Sequence, residues 1–158
     1  MVYSPPSPVP PPAPQFGAPG LSLEWRAAED EARGLSIFFA RGAGAPGFDV
    51  EDAVRQAAGR GTYGFYIGAT VSPARRWTGF SSERGFVPGH ARGGGGRDYD
   101  EMHVVALCPA GLGGARESAL IQFGRTCLEG CENRASDNRG QVRDAPNFLY
   151  VVVRREPA

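Results

Sequence analysis

The sequence predicts a single α/β (α+β) domain, a small central sheet with helices packed on it, behind a disordered proline-rich tail. Eight of the 14 prolines in this 158-residue chain fall within residues 1–20. Beyond them, four short runs rich in β-branched and aromatic residues, at 35–40, 62–70, 102–107 and 148–153, read as strands. Segments with helix start and stop signals separate these runs. Residues 21–158 are enough chain for one core of ordinary size.

Residues 4–20, SPPSPVPPPAPQFGAPG, lack many of the backbone donors that helix or sheet needs, so 1–20 are expected to be extended or polyproline II. The PxxP spacings at Pro5–Pro8 and Pro8–Pro11 would suit a proline-reading module. A leading helix is expected over 21–34. Ser22 would cap it, Leu23, Ala27 and Ala28 would form a weak apolar stripe, and Gly34 would end it. The domain proper spans 35–157. It opens with a buried strand at Leu35–Ala40 and a Gly/Pro loop over 42–47. A helix over 50–58 follows, with Asp49 as N-cap and Phe48 stapling against Ala53.

The strand within 62–70, expected to end at Gly68 or Ala69, leads to Ser72-Pro73, a capping hydroxyl before a proline at the first helical position, so Ala74–Trp77 should be helical. Residues 79–98, with His90 and the glycine-rich HARGGGGRD, are expected to be a flexible loop. A strand at 102–107, a helix at 115–129 and a well-buried strand at 148–153 complete the chain.

Formal net charge is zero, 17 basic against 17 acidic residues, which excludes a uniformly basic nucleic-acid coat. The basic residues are all Arg. Between Arg60 and Arg97 there are six of them (60, 75, 76, 84, 92, 97) against one acid, Glu83. This local excess could carry a phosphate backbone, with Arg75, Arg84, Arg92 and Arg97 as candidate nucleic-acid contacts. Three cysteines do not make a disulfide framework, and the start of the chain shows no secretory signal. The apolar runs are strand-length, too short to span a bilayer. An intracellular protein is expected.

Within the helix at 115–129, Glu117 shares a face with Leu120, Ile121 and Gly124. A carboxylate beside an apolar face requires a cation, a donor or a metal. Arg75 and Arg76 point about 100° apart on their helix, so one of them, Arg76, is expected to face Tyr66 and Glu117. A guanidinium there could grip two phosphate oxygens at once. A rival reading takes Cys108, Cys127, Cys131 and His103 as zinc ligands, although the spacing lacks the usual CxxC pair.

Tyr66-Ile67-Gly68-Ala69-Thr70, Ser72-Pro73-Ala74-Arg75-Arg76, a strand at Met102–Ala106, Glu117-x-x-Leu120-Ile121 and then Asn133 together resemble a GIY-YIG nuclease domain over residues 35–153. The resemblance implies a mainly antiparallel sheet and a metal-dependent endonuclease acting on DNA with one divalent ion, Mg²⁺ or Mn²⁺. It implies that Glu117 holds the metal, Arg76 clamps the scissile phosphate, Tyr66 lies near the attacking water, Asn133 completes the site, and His90 is the histidine found in many members before the third strand. The family's first motif places a tyrosine on a preceding strand. Here the preceding strand carries Ile37-Phe38-Phe39 and no phenol. That departure favours an alternative, a catalytically degenerate module of the same fold that binds nucleic acid or a protein partner.

Overall fold

The computed structural model describes residues 19–59, 61–92, 98–134 and 144–155. In chain order the elements are α1 (Pro19–Glu31), β1 (Ile37–Phe39), α2 (Val50–Ala57), β2 (Thr62–Thr70), α3 (Pro73–Thr78), β3 (Gly79–Ser82), β4 (Gly85–Pro88), β5 (Glu101–Cys108), α4 (Gly113–Cys127) and β6 (Asn147–Arg155). The expected tail lies outside the described residues up to residue 18. Its last two residues, Pro19 and Gly20, already belong to α1, so Ser22 sits inside that helix instead of capping it.

The main sheet has the order β1-β5-β6-β2. β6 is antiparallel to both β2 and β5, while β1 is parallel to β5, giving a mixed, mainly antiparallel sheet. Helices cover both faces. On one, Tyr66, Met102, Val104, Tyr150 and Val152 pack against Leu21, Trp25 and Ala28 of α1 and Trp77 of α3. On the other, Phe65, Ile67, Leu149, Val151 and Val153 pack against Val54 and Ala57 of α2 and Leu120, Ile121 and Phe123 of α4. Central β6 is buried on both faces, which is why Phe148–Val153 is apolar without alternation. A register shift between Val104 and Ala106 reverses the alternation of β5, so that Val104 and Leu107 face the same side.

Two of the three sequence-expected caps form, those of α2 and α3. Asp49 accepts from the Asp52 amide at 3.1 Å, and Ser72 from the Arg75 amide at 3.3 Å with Pro73 behind it. Residues 79–88, expected to be loop, are instead the β3–β4 hairpin. Gly79, at φ +96°, turns the chain out of α3, and Gly85, at φ +109°, follows the tip. Beyond the hairpin, the His90 and Ala91 amides bond the Arg76 and Trp77 carbonyls at 3.1 and 3.0 Å. Gly89 permits this return, because a Cβ there would strike the Trp77 carbonyl. No helix among the described residues is long and apolar enough to cross a membrane.

β2 is an edge strand, and such edges leave backbone groups unpaired unless something covers them. The chain after α4 does so. The Phe65 amide donates to the Gly130 carbonyl at 2.9 Å and its carbonyl accepts from the Glu132 amide at 2.8 Å. The Asn133 carboxamide continues the pattern as a peptide would: Oδ1 accepts from the Ile67 amide at 2.8 Å and Nδ2 donates to the Ile67 carbonyl at 2.7 Å. Both ends of Asn133 are therefore spent on the strand. Replacing it by Ala should destabilise the fold by about 1–3 kcal/mol, the cost of stranding buried backbone groups, read as a lower urea midpoint. Asn133→Asp should be no better, since an acceptor would then face the Ile67 carbonyl.

Candidate active site

In the β2–β6 ladder Tyr66 lies opposite Val152 and Gly68 opposite Tyr150. The Tyr150 ring crosses Gly68, and a Cβ at that position would collide with its Cζ and hydroxyl. Asn133 covers β2 as far as Ile67, and Gly68, Ala69 and Thr70 line a cleft of about 430 Å³. Tyr66, Tyr150, Arg75, Arg76, Phe80 and Glu117 share that lining. The tyrosines belong to one sheet face and Glu117 to a helix on the other, so the cleft lies where the β2 edge makes both sides reachable.

Tyr66, Arg76 and Glu117, far apart in the chain, thus come together as the sequence led one to expect. Glu117 is 1% exposed and forms a wall of the cleft. Arg75 lines it too, with its guanidinium 4.6 Å over the Phe80 ring, which corrects the expectation that only one of the two arginines would face it. The hairpin makes the difference, since Phe80 folds back beside α3. His90 is buried beneath the cleft, its Nε2 2.8 Å from the Tyr150 hydroxyl and its ring 5.6 Å from that of Tyr66.

Other expectations are met less well. Asn133 is absent from the cleft lining and serves the β2 edge. Arg84 is exposed near the hairpin tip. Arg92 is tied to Asp100, with Nε 2.8 Å from Oδ1, which neutralises the charge expected to meet nucleic acid. Arg97 lies outside the described residues. The proposed zinc ligands do not assemble: among the described residues no group of three or more His, Cys, Asp or Glu could hold a metal, and His103 instead bonds Glu101 at 2.9 Å.

Tyr150 is the residue that sequence reasoning missed. Its signal was a hydroxyl in the most apolar strand, where a phenol must find a partner when buried. Burial pushes the Tyr150 phenol well above its ordinary range. The neighbouring Arg76 guanidinium opposes this by charge and hydrogen bond, while Tyr66 and Glu117 add to it. Tyr99 is also raised, by burial and by its hydrogen bond to the Glu132 carboxylate.

The donor chemistry fits a hard divalent cation of the Mg²⁺ or Mn²⁺ kind. Such ions take one or two carboxylates and fill the remaining positions with water and substrate phosphate oxygens, and Glu117 supplies one carboxylate beside open space. A second groove, of about 630 Å³, runs between α2 and the β1 edge. Its Arg155 and His103 both bond Glu101, at 2.7 and 2.9 Å, so their polar groups serve one another. No protein-family model, curated protein or solved structure matches the chain.

The raised phenols make stability pH-dependent at the alkaline end. Protons held by Tyr150 and Tyr99 in the folded state leave the unfolded chain near pH ~10. Their contribution is therefore complete below that pH and is lost as pH rises through the higher folded values. Urea midpoints should fall as pH passes about 10, and less steeply in Tyr150→Phe.

Proposed function

We propose that the chain is a GIY-YIG-type endonuclease that hydrolyses DNA phosphodiester bonds with one Mg²⁺ or Mn²⁺ ion. The observation that carries this reading is the meeting of two phenols, two guanidiniums and one carboxylate at a single open cleft. The phenol absent from the preceding strand has a counterpart in Tyr150. β1 lies at the far edge of the sheet from β2, whose strand neighbour is the C-terminal β6. That neighbour brings a second tyrosine beside Tyr66 from the other end of the chain, which removes the main reason for reading the domain as degenerate.

A phosphodiester repels hydroxide, so cleavage needs positive charge on the oxygens of the pentavalent transition state and a deprotonated water in line. The planar Arg76 fork can hold two non-bridging oxygens, and Arg75 adds a second positive charge at the same wall. Bound on Glu117, the ion would supply further charge to those oxygens and acidify water.

Tyr150 handles the proton. In the histidine tautomer with Nε2 unprotonated, the Tyr150 hydroxyl donates to His90 and can pass its proton inward while taking one from the attacking water. Net transfer is then to an imidazole, so the buried phenol need not ionise fully. Tyr66, at the cleft wall, orients the water.

The test is nicking of supercoiled plasmid with Mg²⁺ by the full chain. Glu117→Gln should abolish nicking while its thermal unfolding remains cooperative. Tyr150→Phe, which keeps the ring over Gly68, should slow nicking by about 10²–10⁴-fold, the usual scale of positioned proton transfer. Wild-type activity in Glu117→Gln would end this reading. DNA binding without cleavage in any divalent ion would return the fold to the degenerate alternative.

A further inference from the structure

The hairpin beside the cleft has more surface than its own packing needs. Every residue from Ser81 to Phe86 is exposed, and two-stranded hairpins have little stability of their own. This one is held at its base by the bonds from His90 and Ala91 to α3. Strand alternation gives it two different faces. Phe80, opposite Val87, turns toward the cleft, where Arg75 stacks on it. Phe86, opposite Ser81, turns the other way and is 60% exposed. Its ring rests against Gly79, where a Cβ would come within 2.6 Å of Cζ, so it lies along the hairpin base as a platform.

We infer that the β3–β4 hairpin is a wedge that stacks Phe86 on an unpaired base next to the phosphate held in the cleft. The inference rests on the nuclease reading and narrows its substrate to nucleic acid carrying an unpaired nucleotide near the cut. One aromatic ring on each face of a thin projection suits splitting a base step, because a side chain inserted there replaces lost stacking. The charge fits a polyanion: with Arg92 spent on Asp100, Arg75, Arg76 and Arg84 stand on α3 and the hairpin against the single acid Glu83. Arg84 stands near the tip, and Phe80, on the opposite face from Phe86, belongs to the cleft wall. The phosphate would lie on the Phe80 side and the displaced base on the Phe86 side.

The test uses the full chain carrying Glu117→Gln, so that DNA is bound without being cut. Fluorescence anisotropy compares a paired duplex with the same duplex bearing a short bulge that contains 2-aminopurine. The bulged DNA should bind more tightly and its 2-aminopurine should be quenched. Adding Phe86→Ala should weaken bulge binding about tenfold, remove the quenching and leave duplex affinity unchanged. Phe86→Trp should restore both. If duplex and bulge are bound alike, or Phe86→Ala changes neither, the wedge is wrong while the nuclease reading stands, and the ring serves another partner. If neither DNA is bound, the nucleic-acid reading fails and takes the wedge with it.

Discussion

The cleft depends on one steric condition, the passage of the Tyr150 ring across Gly68. Only a residue without Cβ lets that ring lie on β2, and only with the ring there does the hydroxyl sit between His90 below and the cleft above. The same contact joins β6 to β2 within the core, so the site and the sheet share an interaction. Packed interiors leave no slack for a methyl group in such a place, since overpacking forces side chains off their rotamers or shifts the backbone.

Around this point the fold holds the two sides of the cleft by different means. α3 is started by Ser72 and Pro73 and ended by Gly79, which fixes Arg75 and Arg76 close after β2. α4 brings Glu117 to the cleft by lying along β2, where Gly124 allows close approach: a Cβ there would come within 2.9 Å of Ile67 Cδ1. Asn133 then fastens the outer edge. Charge is distributed to match. Arg33, Arg55, Arg92, Arg154 and Arg155 each pair with a carboxylate, while Arg75, Arg76 and Arg84 enter none of the ion pairs among the described residues. Arg75 and Arg76 thus face the Glu117 carboxylate across the cleft, and Arg84 stands exposed on the hairpin. The exposed pairs themselves add little to stability.

Much of this was legible in the sequence because it is written locally. Strands at 62–70, 102–107 and 148–153 follow from β-branched and aromatic runs, and the starts of α2 and α3 from Asp49 and Ser72. Glu117 was conspicuous as an acid on an apolar helical face. What escaped was either non-local or hidden by composition. The pairing of β2 with β6 joins segments about 80 residues apart, as Gly68 opposite Tyr150 shows, and no periodicity reports such a partnership. For that reason Tyr150 was not paired with Tyr66 in the sequence. The glycine-rich HARGGGGRD made all of residues 79–98 read as loop, although Gly79 and Gly85 supply the positive φ angles of a hairpin over 79–88. Asn133 was given a site role by the family resemblance alone; its amide imitates a peptide at the sheet edge.

The central claim is that one cation-binding carboxylate faces two phenols from paired strands that lie far apart in the sequence. It is tested most directly by NMR of the protein with ¹³C-labelled tyrosine rings, titrated with substoichiometric Mn²⁺. The chain has five tyrosines, at 3, 63, 66, 99 and 150. Selective paramagnetic broadening of the Tyr66 and Tyr150 rings, abolished by Glu117→Gln, is the expected result. Broadening that spares these two rings, or that persists unchanged without the Glu117 carboxylate, would contradict the account.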